Sequence, residues 1–293
     1  MECPSLVRLS ASSLLCLSLL ACNREAPAPA APVAPPAPAP AVVEEEVVVP
    51  ELKDVMETTP KYIVGISYPP SAVKYPGLAA LLKQYAEAAR AELLQAVKAM
   101  PAKGSDGMMY DLTLSFTEVH QSPDLVAIAV DGSRFTGGAH GEPMIARWVW
   151  LPKEERQLTA ADLIVEPKAW RAVAGNVREQ LHTALSQRLD ADGLSPAERS
   201  ELARNAGKMI DDGTEPDPEH FAMFEPVMTS SGKIGALRFV FPPYQVGPYS
   251  DGTQTVDVPA AVLMPLVADK YRDLFEVTGA PAPTPPPAKP VAG

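Results

Sequence analysis

From Gly77 to Met100 apolar residues return every three to four positions. Leu78, Leu81, Leu82, Tyr85, Ala89, Leu93, Val97 and Met100 fall on one stripe, the mark of a long helix with one face in a core. Pro101 stops it, having no amide to continue the ladder. The period then drops to two. Tyr110, Leu112, Leu114 and Phe116 alternate with Asp111, Thr113, Ser115 and Thr117, which predicts a half-buried antiparallel strand over Met109 to His120. Leu125 to Val130 is apolar on both faces, as a central strand would be. Lys61 to Tyr68, ended by Pro69-Pro70, and Pro143 to Trp150 complete a first run of strands.

Helical spacing resumes at Lys168 to Leu189, where Trp170, Val173, Val177, Leu181, Leu185 and Leu189 align. Two capping boxes mark helix starts: Thr159-Ala-Ala-Asp162, and Ser195-Pro196-Ala197-Glu198 with proline at the first helical position. The second opens a helix to about Ile210. Phe221 to Thr229 and Ile234 to Phe241 read as a hairpin across Ser230-Ser231-Gly232. Thr253 to Val258 is a last strand, and Ala260 to Phe275 a closing helix bent at Pro265. Strands come in runs with helices between the runs. That order predicts an α+β fold, with a mixed or mainly antiparallel sheet packed against long helices, rather than a doubly wound nucleotide fold.

Composition changes the picture mainly at the ends. Of 293 residues 33 are proline, and they gather outside the periodic stretches. Residues 22–50 are expected to be an extended Pro/Ala-rich tether, and 277–293 a disordered Pro/Ala tail. The folded part is expected to comprise an N-terminal α+β half, 51–152, and a C-terminal half, 153–276. Before the tether, Arg8 precedes an apolar run from Leu14 to Ala21. This run is too short for a bilayer, which takes about 20 apolar residues, so residues 1–21 read as a signal peptide. It ends Leu19-Leu20-Ala21-Cys22, which resembles the lipobox of bacterial lipoproteins. The resemblance implies acylation of Cys22, palmitate included, and anchoring in the cell envelope. In a Gram-negative organism, Asn23 after the cysteine implies the outer membrane facing the periplasm. Cys3 and Cys16 would leave with the signal, so no thiol remains for a disulfide, a metal or a nucleophile.

The net charge of −11 argues against a nucleic-acid module, which needs a basic face. The four histidines, 120, 140, 182 and 220, match no ligand motif, and there is no GxSxG, Walker lysine or GxGxxG. Asp190-Ala-Asp192-Gly193 starts like a calcium loop, but Leu194 takes a ligand position, so a turn is expected. No metal and no cofactor are therefore expected. Asp211, Asp212, Glu215, Asp217 and Glu219 form an acidic run, either a solvated loop or a contact for a cationic partner.

Two stretches stand out. In Phe135-Thr-Gly137-Gly138-Ala-His140-Gly141 the glycines permit positive φ and close approach. The loop either presents His140 and amides to a ligand or is a tight connection with His140 bonded to backbone. In Phe241-Pro-Pro-Tyr244-Gln-Val-Gly-Pro-Tyr249-Ser-Asp-Gly252, the two tyrosines form an aromatic recognition surface or pin the loop through their hydroxyls. With Leu158-Thr-Ala-Ala-Asp-Leu163, these stretches resemble the RsiV-like extracytoplasmic domain. That domain of unknown general function forms the lysozyme-sensing part of an anti-sigma factor and precedes the catalytic domain of a peptidoglycan deacetylase.

The resemblance implies fold and compartment, and suggests a ligand class. The expected function is a lipid-anchored, non-catalytic envelope binding domain. Its partner would be a protein, lysozyme-like ones included, or a peptidoglycan-related ligand, with Gly137, Gly138, His140, Tyr244 and Tyr249 as binding residues. The alternative is an envelope hydrolase acting on peptidoglycan or polysaccharide, with His140 and a carboxylate as acid and base. Convergence of the two loops at one end of the domain is expected if they share a site.

Overall fold

The computed structural model describes residues 51–100 and 108–277. The signal, tether, Cys22 and tail expectations lie outside the described residues, except Val277 at the tail's edge. Among the described residues nine strands form two sheets. The first has the order β1-β2-β3-β4-β5-β6, from Val55–Thr58, Tyr62–Ser67, Tyr110–Gln121, Val126–Phe135, Glu142–Leu151 and Arg156–Gln157. The second is the antiparallel triplet β7-β8-β9, Phe224–Met228, Ile234–Phe241 and Gln254–Pro259. The fold is α+β with a mixed first sheet, because β2 and β3 run parallel and every other pair is antiparallel.

The parallel pair follows from α1, Pro76–Ala99, which carries the chain back across the sheet between β2 and β3. Its stripe, with Leu78, Leu82 and Leu93 fully buried, covers one sheet face made by Val64, Leu112, Leu114, Ile128 and Val130. The opposite side chains of β4 and β5 face a second core. Leu125, Ala127, Val149 and Leu151 join Val173, Val177 and Leu181 of α3, Trp170–Ala191, and the inner residues of β7–β9. Here Trp170 stacks on Phe221 at 5.3 Å and donates its indole N–H to the Ile164 carbonyl. Burial on both faces explains why Leu125 to Val130 shows no polar alternation.

Charges join the two sheets. Arg147 on β5 donates to Asp131 on β4 at 3.1 Å and to Glu225 on β7 at 3.0 Å. Glu225 lies 3.8 Å from Arg238 on β8, which grips Asp257 on β9 with two bonds. The Arg147 side chain is 8% exposed, so this ladder lies largely inside the join.

Both capping boxes are present, opening α2, Ala160–Leu163, and α4, Pro196–Gly213. Two expectations need correction. The closing helix is not one bent rod: α5 spans only Ala260–Leu263, and a 3-10 turn follows at Asp269–Leu274. Pro265 has no amide for a helical bond and its ring opposes the carbonyl four residues back. Phe221 is not in the strand either. It ends a 3-10 turn that Asp217 opens by accepting from the Glu219 amide, and β7 starts at Phe224.

Candidate functional site

The β4–β5 turn turns tightly because Gly137 and Gly138 adopt φ of 98° and 104°, a region open to glycine and costly for other residues. His140 follows, exposed. Its Nδ1 lies 3.2 Å from the Gly141 carbonyl, so this nitrogen carries the proton in that contact. Nε2 lies 3.3 Å from the Tyr244 hydroxyl and accepts from it in the neutral ring. The imidazole lies flat on Tyr249, with centroids 3.9 Å apart and planes at 18°, and the two tyrosine rings are 5.9 Å apart.

The tyrosines are held by the irregular segment between β8 and β9. Pro242-Pro243 ends β8, and Tyr244 sits at φ 74°, in the left-handed region that bulky residues rarely enter. The surroundings fix it there. Its amide donates to the Gly247 carbonyl at 2.8 Å, and the Gln245 side chain donates to the carbonyls of Gly213 and His220. Tyr249 opens a 3-10 turn whose Asp251 accepts from Arg188 of α3 at 2.7 Å. The loop is thereby pinned to α3 and to the end of α4, and it touches the β4–β5 turn through His140.

Between these elements lies a groove of about 790 Å³. Its apolar lining includes Ile145, Leu181, Leu185, Ile210 and Val246, and its polar groups include Asp131, Arg188, Asp251 and Gln254. Tyr249 stands at its edge with His140 stacked upon it. Such a surface suits a ligand with apolar or flat groups and a few polar contacts.

The two stretches singled out in the sequence, 104 residues apart at the His140–Tyr244 bond, therefore meet. The local contacts of each stretch are present, since His140 touches the backbone and the Tyr244 hydroxyl bridges the two loops, and Tyr244 is 57% exposed. Gly137 and Gly138 shape the turn. Sequence reasoning missed Asp131, Arg188 and Asp251. Leu181, Leu185 and Arg188 share one face of α3 at helical spacing, but only the tertiary fold sets that face beside the Tyr249 loop.

Other candidates have local partners. His182 lies 3.0 Å from Asp211, and Asp212 pairs with Lys208. Asp190 pairs with Arg199, and Gly193 turns the chain after α3 at φ 63°. No carboxylate is a hydrogen-bond partner of His140 among the described residues. Nor do the described residues hold a group of three or more His, Cys, Asp or Glu placed to bind a metal. No described helix is long and apolar enough to cross a membrane.

Residues 162–261 match the family described as Protein of unknown function (DUF3298). No curated protein matches. Among solved structures, the chain is similar to a DUF3298 family protein from Pseudomonas aeruginosa. Identity is 19% and the TM-score 0.45, over 76% of this chain and 95% of that one. It is also similar to a member of the same family from Bacteroides fragilis, at 14% identity and TM-score 0.42, over 75% and 93% of the two chains.

Proposed function

We propose that the chain is a lipid-anchored binding domain of the cell envelope, non-catalytic, of the RsiV-like kind, acylated at Cys22. The groove beneath the His140–Tyr249 stack takes a protein segment or a peptidoglycan-related ligand. The observation that carries the reading is the convergence of two sequence-distant irregular loops beside one partly apolar groove, with Tyr249 at its edge and the His140 and Tyr244 rings against Tyr249. Rigid aromatic rings give large contact area at small entropic cost. Among the described residues those around His140 supply hydrogen bonds and ring contacts but no paired carboxylate, which favours binding over hydrolysis.

The test is calorimetric titration of the full chain, made with Cys22→Ser for solubility, with muropeptides and separately with a lysozyme. Saturable binding to one of them, weakened at least tenfold by Tyr249→Ala, is expected. If neither binds, or if a bound ligand is cleaved, the reading is wrong.

A further inference from the structure

Helix α1 covers one face of the first sheet, but the second core covers only part of the other. Pairing across the strands sets the side chains of that open face in rows. One row runs Met56, Gly65, Thr113, Ser133 and Pro143 from β1 to β5, and the next holds Ser67, Ser115, Asp131 and Ile145. On the other side of the first row, Asp111 stands between Ile63 and Phe135, with Thr58 beyond Ile63. Asp131, Pro143 and Ile145 line the groove. The open face is therefore the groove's floor, continued across β4, β3 and β2 to β1.

Its side chains are short, uncharged and unoccupied. Thr58, Ser67, Thr113, Ser115, Thr117 and Ser133 are exposed, and their hydroxyls have no bonding partner among the described residues. The rows contain no lysine and no arginine. Asp131 is held by Arg147, while the half-buried Asp111 carboxylate has no partner among the described residues. Met56, 82% exposed, and Ile63, 37% exposed, add apolar surface. At the centre, Gly65 lies inside β2, and a Cβ added there would meet no described atom within 4 Å. Glycine weakens a strand interior and often marks a place where a ligand or another backbone comes close. No described part of this chain comes close to Gly65.

Size argues against a second copy as the occupant. Five strands about 4.8 Å apart and three rows about 6.7 Å apart make a flat area of roughly 250 Å², whereas a stable interface takes about 800 Å² from each partner. Protein partners also rely on aromatic or arginine anchors, and half-buried Phe135 is the one such residue in the rows. A track about 19 Å long across the strands, floored by hydroxyls and small apolar groups, fits a narrow polyhydroxylated chain. Sugar hydroxyls bond to the serines and threonines, ring C–H faces lie over Gly65 and the threonine methyls, and the Asp111 carboxylate accepts from a hydroxyl or amide N–H.

We propose that the open face from β1 to β4 binds a glycan chain that lies across the strands and enters the groove. This rests on the groove being a binding site, as proposed above, and names the sugar backbone as the part held outside it. The full Cys22→Ser chain is titrated calorimetrically with two uncharged hexasaccharides, chitohexaose and cellohexaose. Saturable binding of at least one is expected. Tighter binding of chitohexaose assigns an N-acetylated backbone such as that of peptidoglycan, and tighter binding of cellohexaose a plain polysaccharide.

Gly65→Val puts a strand-favouring side chain into open space, so the melting temperature should hold or rise, while hexasaccharide affinity should fall at least tenfold. Thr113→Arg, on the neighbouring strand, should weaken binding as much. A merely structural role for Gly65 would not lose affinity while stability holds. No binding of either hexasaccharide, or wild-type affinity in both variants, overturns the proposal. So does a dimer that Gly65→Val dissociates, which gives the face to a second copy. If muropeptide or lysozyme binds and Tyr249→Ala weakens it while neither hexasaccharide binds, the groove reading stands and the glycan face is refuted. If Gly65→Val removes hexasaccharide binding while Tyr249→Ala changes no binding at all, the groove reading fails and takes the path into the groove with it.

Discussion

Gly213, the last residue of α4, is where the helical half meets the tyrosine-bearing loop most closely. A Cβ added there would stand 1.9 Å from the Gln245 carbonyl oxygen, 2.7 Å from its carbon and 3.1 Å from Val246 Cγ1. Contact distances for such atoms are about 3.5 Å, so loop or helix end must yield by more than about 1 Å. The oxygen belongs to the backbone and has no rotamer to swing away. Overpacking of this kind costs about 1–3 kcal/mol. The move also strains the Gln245 bonds to the Gly213 and His220 carbonyls, 3.0 and 2.9 Å long, each contributing about 0.5–1.5 kcal/mol.

Gly213→Ala should therefore destabilise by about 2–5 kcal/mol, a Tm loss of roughly 4–20 °C at about 2–4 °C per kcal/mol for a domain of this size. Gly175, exposed in the interior of α3, is the control, since nothing lies within 4 Å of its added Cβ. There alanine should stabilise by about 1 kcal/mol through helix propensity alone. Thermal unfolding followed by circular dichroism compares the two. A Gly213→Ala chain that melts at or above wild type would refute the close-approach argument, whatever Gly175→Ala does.

Arg147→Met should cost about 3–5 kcal/mol in urea unfolding, because it leaves Glu225, 14% exposed, with only the more distant Arg238; adding Glu225→Leu should recover about half. Asp162 concerns acid stability. Burial works to raise its pKa but is outweighed by bonds from the Thr159 hydroxyl and amide and by Arg156, so the carboxyl lies below the usual range. A depressed folded pKa gives stability that is present above the unfolded value and lost as pH falls through the folded one. Asp162→Asn should thus cost about 0.5–1 kcal/mol at neutral pH, and less in denaturation curves taken below about pH 4. Cys22→Ser should shift the protein from the membrane to the soluble fraction and abolish palmitate labelling; unchanged partition would refute the anchor.

Legibility in the sequence followed the length and one-sidedness of each pattern. The long stripes of α1 and α3, the alternation of β3 and both capping boxes could be read because each depends on residues close in sequence. Four-residue β1 could not: Met56 is 82% exposed, and only pairing with β2 makes Val55 to Thr58 a strand. The parallel β2–β3 register is a tertiary fact, set by where α1 lands. Phe221 reads as a strand residue by type, yet Asp217 and Pro218 just before it open a tight turn. At the site, composition pointed to the Gly-His and Pro-Tyr loops. Asp131, Arg188 and Asp251 looked like ordinary surface charges until the fold set them around one groove.

The site's rigidity and its adaptability come from different layers. The His140–Tyr244 bond is long at 3.3 Å, and both side chains are exposed, so the rings themselves contribute little to holding the loops in place. What holds them is behind. β4 and β5 face both cores, so the turn they carry is fixed against the second sheet by packing and by the Arg147–Glu225–Arg238 ladder. The opposing loop is clamped by Gln245 and by the Arg188–Asp251 pair. In the binding role proposed, an aromatic edge on a base held this way would meet a ligand with little movement of the backbone. Loss of His140 should accordingly be felt in binding far more than in stability, whereas loss of Arg147 should be felt in both.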